Sequence, residues 1–571
     1  MEQKVLEKIQ KWDSFEKLEL SLREELNEIK KDEKALYDAF YTDIAFGTGG
    51  LRGILGVGTN RMNIYVVAKT TKGFVDYMIE KYPNVKEMGV AISYDCRKNS
   101  DVFSKVAANV IASHGIKVYI FESLRSTPEL SFTVRHYKAA GGIMITASHN
   151  PPIYNGYKVY DHEGCQLVPE LADICIEKVN AVENMFELID GDYERAFNDY
   201  LEQGLINVIG KETDEAYIKC VNTVPLNNVK KDNIKVVYTP LHGTGCVFME
   251  ELLKSNGYNV IPVKEQMVPD GNFSTLKSPN PEEASAFEYA IKLGKEENAD
   301  ILIATDPDAD RMGIAAKNPQ GEYVLLTGNQ TGAILLNYLA KYKHTEKQRV
   351  VYNTIVTSNL AKAICEKHSI ELVQTLTGFK FIGEQAALIE GTDKEFFFGY
   401  EESYGYVIKD FVRDKDSFQA TLLLCEVASF YKEQGKTLYD VLFDIFEEYG
   451  YYIEGVHNIS LVGAEGSAKI NQIMTHFQQN PLSRLAGKDI VTIEDYQDSI
   501  KLENGIKSKL TLPKSFVLKY IFEDGGWFVL RPSGTEPKLK IYVAIKGNTL
   551  EEANELIKNV KAEVLAIIDR I

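Results

Sequence analysis

The chain has 571 residues, of which 44% are hydrophobic, 26% charged and 11% aromatic. That is ordinary globular composition; it excludes an extensively disordered or collagen-like chain, and at roughly 150 residues per domain it predicts about four domains rather than one core. The 64 Lys and Arg against 82 Asp and Glu leave a net charge of −18, which argues against a broad surface for nucleic acid or anionic membrane, so an anionic ligand must be held by placed groups.

Residues 1–40 place Val5, Ile9, Trp12, Phe15 and Leu18 at helical spacing among Lys and Glu, predicting one or two amphipathic helices that form a packing extension. The charged N-terminus lacks the apolar stretch of a signal peptide, and no run approaches the roughly 20 apolar residues of a membrane span. The seven cysteines are widely spaced and include no CxxC pair, which fits a reducing compartment. The expectation is a cytoplasmic protein.

Beyond residue 40, short apolar runs alternate with helical stretches such as 103–113 and 361–368, which is α/β patterning. Three stretches read as internal repeats, each with a strand, a helix, a second strand and a later strand ending in a polar hairpin-like loop. The first runs through MGVAISYDCR (88–97), KVYIFES (117–123) and GGIMITASHNPPIYNGYKVY (141–160). The second runs through IKVVYTPLHG (234–243), YNVIPV (258–263) and DILIATDPDADRMGIAA (300–316). The third runs through RVVYNTIVTS (349–358), ELVQTLTG (371–378) and EFFFGYEESYGYVI (395–408).

Each repeat suits a βαβ crossover that carries its loops beyond the carboxyl ends of the strands, where open α/β sheets gather ligands. Three such domains predict three loops around one central cleft. The last segment, with strand-like 517–522, 526–534 and 539–545 and a closing helix from Leu550, reads as a C-terminal α+β domain. The expected division is an N-terminal helical extension (1–40) and domains at 41–205, 206–320, 321–450 and 451–571.

Four loops carry chemistry. Ser148 in TASHNPP stands at a strand end, exposed for reaction, although Ser, His, Asn and Pro are also ordinary turn residues. A hydrolase reading is weak, because the nucleophile-elbow pattern is absent and His149, being adjacent, cannot be assumed to reach Ser148 as a base. In DPDADR, the carboxylates of Asp306, Asp308 and Asp310 repel one another unless a cation lies between them. An EF-hand fails, since Arg311 and Lys317 occupy the positions that need Gly and an acid. A Mg²⁺ ion that keeps positions open for phosphate oxygen or water fits better, with a solvated acidic turn as the alternative.

The third loop, GYEESYG, follows the TGFK turn of Lys380 and precedes Arg413 and Lys415, and its carboxylate and hydroxyl at Glu401 and Ser403 suit adjacent sugar hydroxyls. The fourth, RPSGTEP, combines the Arg531 guanidinium, the Ser533 and Thr535 hydroxyls and the Gly534 amide, a good set for a non-transferring phosphate, or else a plain turn. Two glycine-rich decoys fail. GKT at 435–437 lacks the required upstream P-loop glycine, Phe430 standing there, and GTGGLRG at 47–53 has Arg52 at the sixth position of a dinucleotide fingerprint.

Together and in this order, TASHNP, DPDADR, GYEESYG and RPSGTEP resemble the α-D-phosphohexomutase superfamily along nearly the whole chain. The extension, FGTGGLRG (46–53), TGFKFIG (377–383) and GYEESYGY (399–406) resemble the bacterial phosphoglucomutase branch with its phosphopentomutase-like members. The resemblance implies a phosphoserine at Ser148 that donates and accepts the phosphoryl group, and Mg²⁺ on Asp306, Asp308 and Asp310 with one phosphoserine oxygen. Arg311 would lie beside the transferring group.

It also implies that Arg52 and Lys158 flank the reacting groups as candidates for proton transfer or charge stabilisation. Glu401 and Ser403 would bind the sugar, with Arg531, Ser533, Gly534 and Thr535 on its far phosphate, and His149, Lys380, Arg413 and Lys415 as further substrate contacts. Gly405 stands where some mannose-handling relatives have His, which weakens analogy with them.

The implied reaction interconverts α-glucose 1-phosphate and glucose 6-phosphate through glucose 1,6-bisphosphate. Ribose or deoxyribose phosphates and mannose phosphates are the alternatives, a phosphatase is a rival enzyme, and a non-catalytic sugar-phosphate regulator is the rival of another class. The partners expected are small sugar phosphates, with no nucleic acid and no membrane, on a monomer or dimer.

Overall fold

The computed structural model describes residues 2–47, 50–189, 191–461, 463–533 and 538–571. The chain divides into two compact units. The first comprises Met1–Leu326, Ile382–Glu390 and Gly405–Glu433; the second comprises Thr327–Phe381, Gly391–Tyr404 and Gln434–Ile571.

The first unit opens with three helices, Gln3–Ser14, Leu20–Ile29 and Glu33–Phe40, one more than the upper sequence expectation. The breaks fall where side chains begin new helices: the Glu19 carboxylate accepts the Leu22 N–H, and Asp32 accepts those of Lys34 and Ala35, the usual work of an N-cap. These helices share a core with the sheet that follows. Trp12 is buried and meets Phe40, Tyr65 and Phe186 edge-on, with ring centroids 5.8, 5.6 and 5.4 Å away.

Two mixed sheets follow. The first contains β1 (Gly50–Ile54), β2 (Val90–Tyr94), β3 (Val118–Phe121), β4 (Gly141–Ile145), β5 (Tyr154–Tyr160) and β6 (Ile206–Ile209), in the order β1-β5-β4-β2-β3-β6. The second contains β7 (Lys235–Thr239), β8 (Asn259–Pro262), β9 (Ile301–Thr305), β10 (Met312–Lys317) and β11 (Tyr323–Leu326), in the order β11-β10-β9-β7-β8.

The repeat predicted from sequence is visible in the pairing. β2 runs parallel to β3 and β4, and β4 pairs antiparallel with β5; β7 runs parallel to β8 and β9, and β9 pairs antiparallel with β10. Uninterrupted apolar runs such as Ile301–Thr305 are buried along their whole length, as strands covered on both faces must be.

In the second unit β12 (Gln348–Thr354) lies parallel to both β13 (Glu371–Thr375) and β14 (Lys394–Glu401), the same three-strand core again. The C-terminal part is α+β. Its antiparallel ladder takes Tyr451–Ser460, Lys538–Gly547, Trp527–Pro532, Leu518–Phe522 and Lys488–Asp495 in that order, continued by the hairpin Ile500–Glu503 and Ile506–Lys509. Helices Gly463–Gln479 and Leu550–Ile568 supply Ile473, Phe477, Val560 and Val564 to a core with Leu530 and Ile541 of the ladder. No helix among the described residues is long and apolar enough to cross a membrane.

Candidate active site

Ser148 stands in the turn between β4 and β5. Its φ of 51° is left-handed, a conformation that costs a non-glycine residue about 1 kcal/mol or more and persists only where the surroundings enforce it. The enforcement is explicit. The Ser148 N–H donates to Thr146 Oγ1 at 2.8 Å, and the Thr146 hydroxyl donates to the buried Asp95 Oδ2 at 2.7 Å. So held, Ser148 Oγ donates to Asp306 Oδ2 at 2.8 Å and lies 3.2 Å from His149 Nδ1.

Asp306, Asp308 and Asp310 follow β9 in a tight turn in which Ala309 is also left-handed, at φ 52°. All three carboxylates are buried, and one oxygen from each lies within 4.8 Å of the others. The turn is built from both sides. The N–H groups of Asp310 and Arg311 donate to Asp306 Oδ1, and the Thr127 hydroxyl donates to Asp308 Oδ2 at 2.7 Å. Gly243 allows the chain after β7 to come close, since a Cβ there would lie 2.3 Å from the Pro307 backbone, and the next residue, Thr244, donates its N–H to the Pro307 carbonyl.

Two ammonium groups offset the acids. Lys158, on β5, reaches Asp308 Oδ2 at 2.8 Å and Asp310 Oδ2 at 3.3 Å, and Lys415 reaches Asp310 Oδ2 at 3.1 Å. Room for the Lys415 stem comes from Gly405, where a Cβ would lie 2.1 Å from Lys415 Cδ; a His at this position would collide with it.

Burial alone would favour the neutral forms, and the site divides its groups against that pressure. Burial raises Asp308, but the Lys158 ammonium and the Thr127 hydroxyl outweigh it and hold Asp308 well below the usual carboxylate range. Asp306 goes the other way, pushed up by burial and by its two acidic neighbours. Lys158 is lowered by burial but raised further by Asp308 and Asp310, so it stands protonated. His149 is driven well below its ordinary value by burial and by the Arg311 and Arg52 guanidinium groups, which keeps it neutral.

The three carboxylates fit a hard divalent ion. Even with both lysines in place, Asp308 Oδ1 and Asp310 Oδ1 are buried and have no hydrogen-bond partner among the described residues, which leaves them lone pairs for a cation. Arg311 approaches from the side, with Nη1 2.6 Å from Glu282 Oε1 and Nε 3.8 Å from Asp310 Oδ1. The exposed Arg52 donates to Asn150 Oδ1 at 3.2 Å.

The Arg413 side chain is wholly buried and paired with the more exposed Glu163 and Glu390 of the same unit. In the second unit, Glu401 accepts the Gly378 N–H at 2.8 Å, and the neighbouring Glu402 accepts the hydroxyls of Thr354 and Thr357 at 3.1 and 3.4 Å. Burial and the Glu401 charge push Glu402 up to about 7. Ser403 adjoins this pair and is half-buried, Lys380 is buried with its ammonium 5.4 Å from the Phe381 ring, and Arg531 is half-buried at the end of its strand. The Ser533 N–H donates to the Lys538 carbonyl. Gly534 and Thr535 lie outside the described residues.

Residues 43–185, 215–321 and 327–449 match phosphoglucomutase/phosphomannomutase α/β/α domains I, II and III, and residues 488–562 match the family's C-terminal domain. The chain is 38% identical to a phosphoglucomutase of Staphylococcus epidermidis over 507 residues, covering 88% of this chain and 91% of the relative. The chain belongs to the phosphoglucomutase/phosphomannomutase family.

A phosphoglucomutase of Staphylococcus aureus is likewise 38% identical, over 91% of this chain and 93% of the relative. Among solved structures, a putative phosphomannomutase from Thermus thermophilus superposes with a TM-score of 0.66 at 22% identity, covering 92% of this chain and 99% of that one. The open form of pp63/parafusin, a phosphoglucomutase from Paramecium, gives 0.65 at 18% identity, covering 92% and 96%. These two show the shared fold. The family carries the enzyme class with it: the protein is a phosphohexomutase, an isomerase.

Sequence reasoning left out Asp95, Arg97, Thr127 and Thr146. A signal for two of them was present in the D-x-R spacing directly after β2, in the position that gathers ligands in an open sheet. Thr127 had none, because its partner Asp308 is 181 residues away.

Proposed function

We propose that the protein is a phosphoglucomutase that interconverts α-D-glucose 1-phosphate and glucose 6-phosphate through a phosphorylated Ser148. The observation that carries this reading is the seat of Ser148: a hydroxyl fixed in a strained turn, 2.8 Å from the first carboxylate of a buried triad suited to a divalent ion. With its ligands at Asp306, Asp308 and Asp310, Mg²⁺ would offset charge on the oxygens of the transferring phosphoryl group.

The phosphoryl group on Ser148 Oγ passes to the C6 hydroxyl of glucose 1-phosphate, so a P–O bond forms at the sugar as the P–O bond to serine breaks. The sugar hydroxyl loses its proton and Ser148 Oγ regains one. The glucose 1,6-bisphosphate then presents its C1 phosphate to Ser148, which takes it up and leaves glucose 6-phosphate. Arg311 and Arg52 contribute positive charge where phosphoryl oxygens collect it. Lys158, raised and protonated, serves as a charge or proton donor and not as the base, because a lysine base needs a depressed pKa. Resemblance of motif assigns the sugar hydroxyls to Glu401 and Ser403 and the far phosphate to Arg531, Ser533, Gly534 and Thr535.

The test is conversion of glucose 1-phosphate to glucose 6-phosphate by the purified chain with Mg²⁺ and a trace of glucose 1,6-bisphosphate, with ribose 1-phosphate in parallel and Ser148→Ala beside the wild type. Ser148-dependent hexose conversion supports the reading. Conversion of the pentose alone would move the substrate, and release of inorganic phosphate without isomerisation would replace the mutase by a phosphatase.

A further inference from the structure

Arg97 lies behind the serine turn and meets it through main-chain carbonyls, not through the side chains assigned above to metal or phosphate. Its side chain is completely buried, yet it reaches four main-chain carbonyls of one short loop. Nη1 donates to Pro151 O at 2.9 Å and Tyr154 O at 3.0 Å, and Nη2 donates to Ser148 O and Asn150 O. Buried carbonyls must find donors, and a turn that points four of them at one spot needs a planar fork of N–H groups, which only a guanidinium supplies.

The charge is neutralised where it stands. Asp95 Oδ2 lies 3.3 Å from Arg97 Nε, while Asp95 Oδ1 accepts the Arg97 main-chain N–H and the Ser100 hydroxyl, each at 2.9 Å. The Phe273 ring, 5.0 Å from the guanidinium carbon, closes the remaining face. The same Asp95 holds Thr146, which holds the Ser148 N–H. The peptide groups on both sides of Ser148 therefore trace to one buried ion pair.

We propose that Arg97, paired with Asp95, is the positioning residue of the phosphoryl-carrying serine: it clamps the carbonyl side of the turn, keeps Ser148 in its left-handed conformation and so aims Oγ at Asp306. The inference rests on Ser148 being the phosphoryl carrier. The guanidinium is paired with Asp95, and the effect proposed for it is geometric. Misplacing a reacting group by about 1 Å costs on the order of a hundredfold in rate.

The test compares wild type with Arg97→Lys, whose single ammonium cannot serve four carbonyls, in three measurements: circular dichroism and Tm, kcat and KM for glucose 1-phosphate, and the rate at which glucose 1,6-bisphosphate phosphorylates Ser148, followed by intact-protein mass. The expected result is a folded variant with KM within about twofold of wild type, and with kcat and the phosphorylation rate both reduced at least about tenfold. A folded variant with wild-type kcat and phosphorylation rate would overturn the proposal, as would a kcat loss matched only by a smaller folded fraction.

If Arg97→Lys does not fold, the isosteric Asp95→Asn, which removes the counter-charge, decides the same question. Reduced phosphorylation at constant KM supports the clamp, and unchanged phosphorylation refutes it. Failure of the underlying reading is distinguishable, because wild type itself would then take up no phosphate on Ser148.

Discussion

Lys158 Nζ sits 2.8 Å from Asp308 Oδ2, so the middle acid of the three-aspartate turn is held by a lysine from the neighbouring sheet. Both partners are buried or nearly so, and removing one partner of such a pair leaves the other uncompensated at a cost of about 3–5 kcal/mol. Lys158→Met should therefore destabilise the metal-free protein by an amount of that order and lower kcat by at least about tenfold. Mg²⁺ should recover part of the stability, raising the Tm of Lys158→Met by more than that of wild type. Equal Mg²⁺-induced shifts in the two proteins would show that the lysine does not compensate the acids.

Thr127 tests the opposite side of the same carboxylate. Thr127→Val preserves shape and removes the hydroxyl that donates to Asp308 Oδ2. Groups that orient metal ligands typically contribute 10–100-fold to affinity. Titration of activity with Mg²⁺ should show a half-saturating concentration raised by about tenfold or more, with kcat at saturation much less affected.

These two residues mark how far the sequence was legible. The three repeated strand orders and the motif-bearing turns could be read directly, because period and turn chemistry are local. The clamp at Asp95 and Arg97 and the hydroxyl of Thr127 could not be weighed, since their meaning arises only when β2, the turn after β4 and the turn after β9 meet. The pairing of Arg413 with Glu163 and Glu390 was equally illegible, because Glu163 is 250 residues away. In the extension, Trp12 was legible as an apolar helical position, but its aromatic partners at 65 and 186 were not.

The extension should matter to stability and not to chemistry. Trp12→Ala removes a fully packed indole from among three aromatic rings and should cost about 3–5 kcal/mol. Urea unfolding would show that loss, while kcat of the folded variant stays within about twofold of wild type. A large fall in kcat without a stability change would give the extension a role in the reaction.

Asp416 supplies a pH signature. It caps helix Ser417–Lys432, accepts the Tyr217 hydroxyl at 2.8 Å and a Gln419 amide N–H at 2.9 Å, and is pushed up to about 6 by burial despite these bonds; Lys415 precedes it and the buried Glu129 faces Tyr217 and Asp416 electrostatically. A carboxyl raised above its unfolded value stabilises most below that value, and its contribution is lost as pH rises through the folded pKa. Asp416→Asn keeps a good cap and removes the titration. Between pH 5 and 8 its unfolding free energy should therefore rise relative to wild type by about 1 kcal/mol, nearly all of it gained as pH approaches 6 and levelling off above that. A difference independent of pH would contradict the assignment.

The most direct test of the central claim is to follow the phosphoryl group itself. Purified protein is charged with radiolabelled glucose 1,6-bisphosphate and Mg²⁺, freed of sugar, digested to locate the label, and in a parallel sample chased with unlabelled glucose 1-phosphate. The predicted result is label on the peptide that contains Ser148 and its transfer to sugar during the chase at a rate no slower than turnover. Label that is absent from Ser148, or that stays on the protein while glucose 6-phosphate accumulates, would contradict the account.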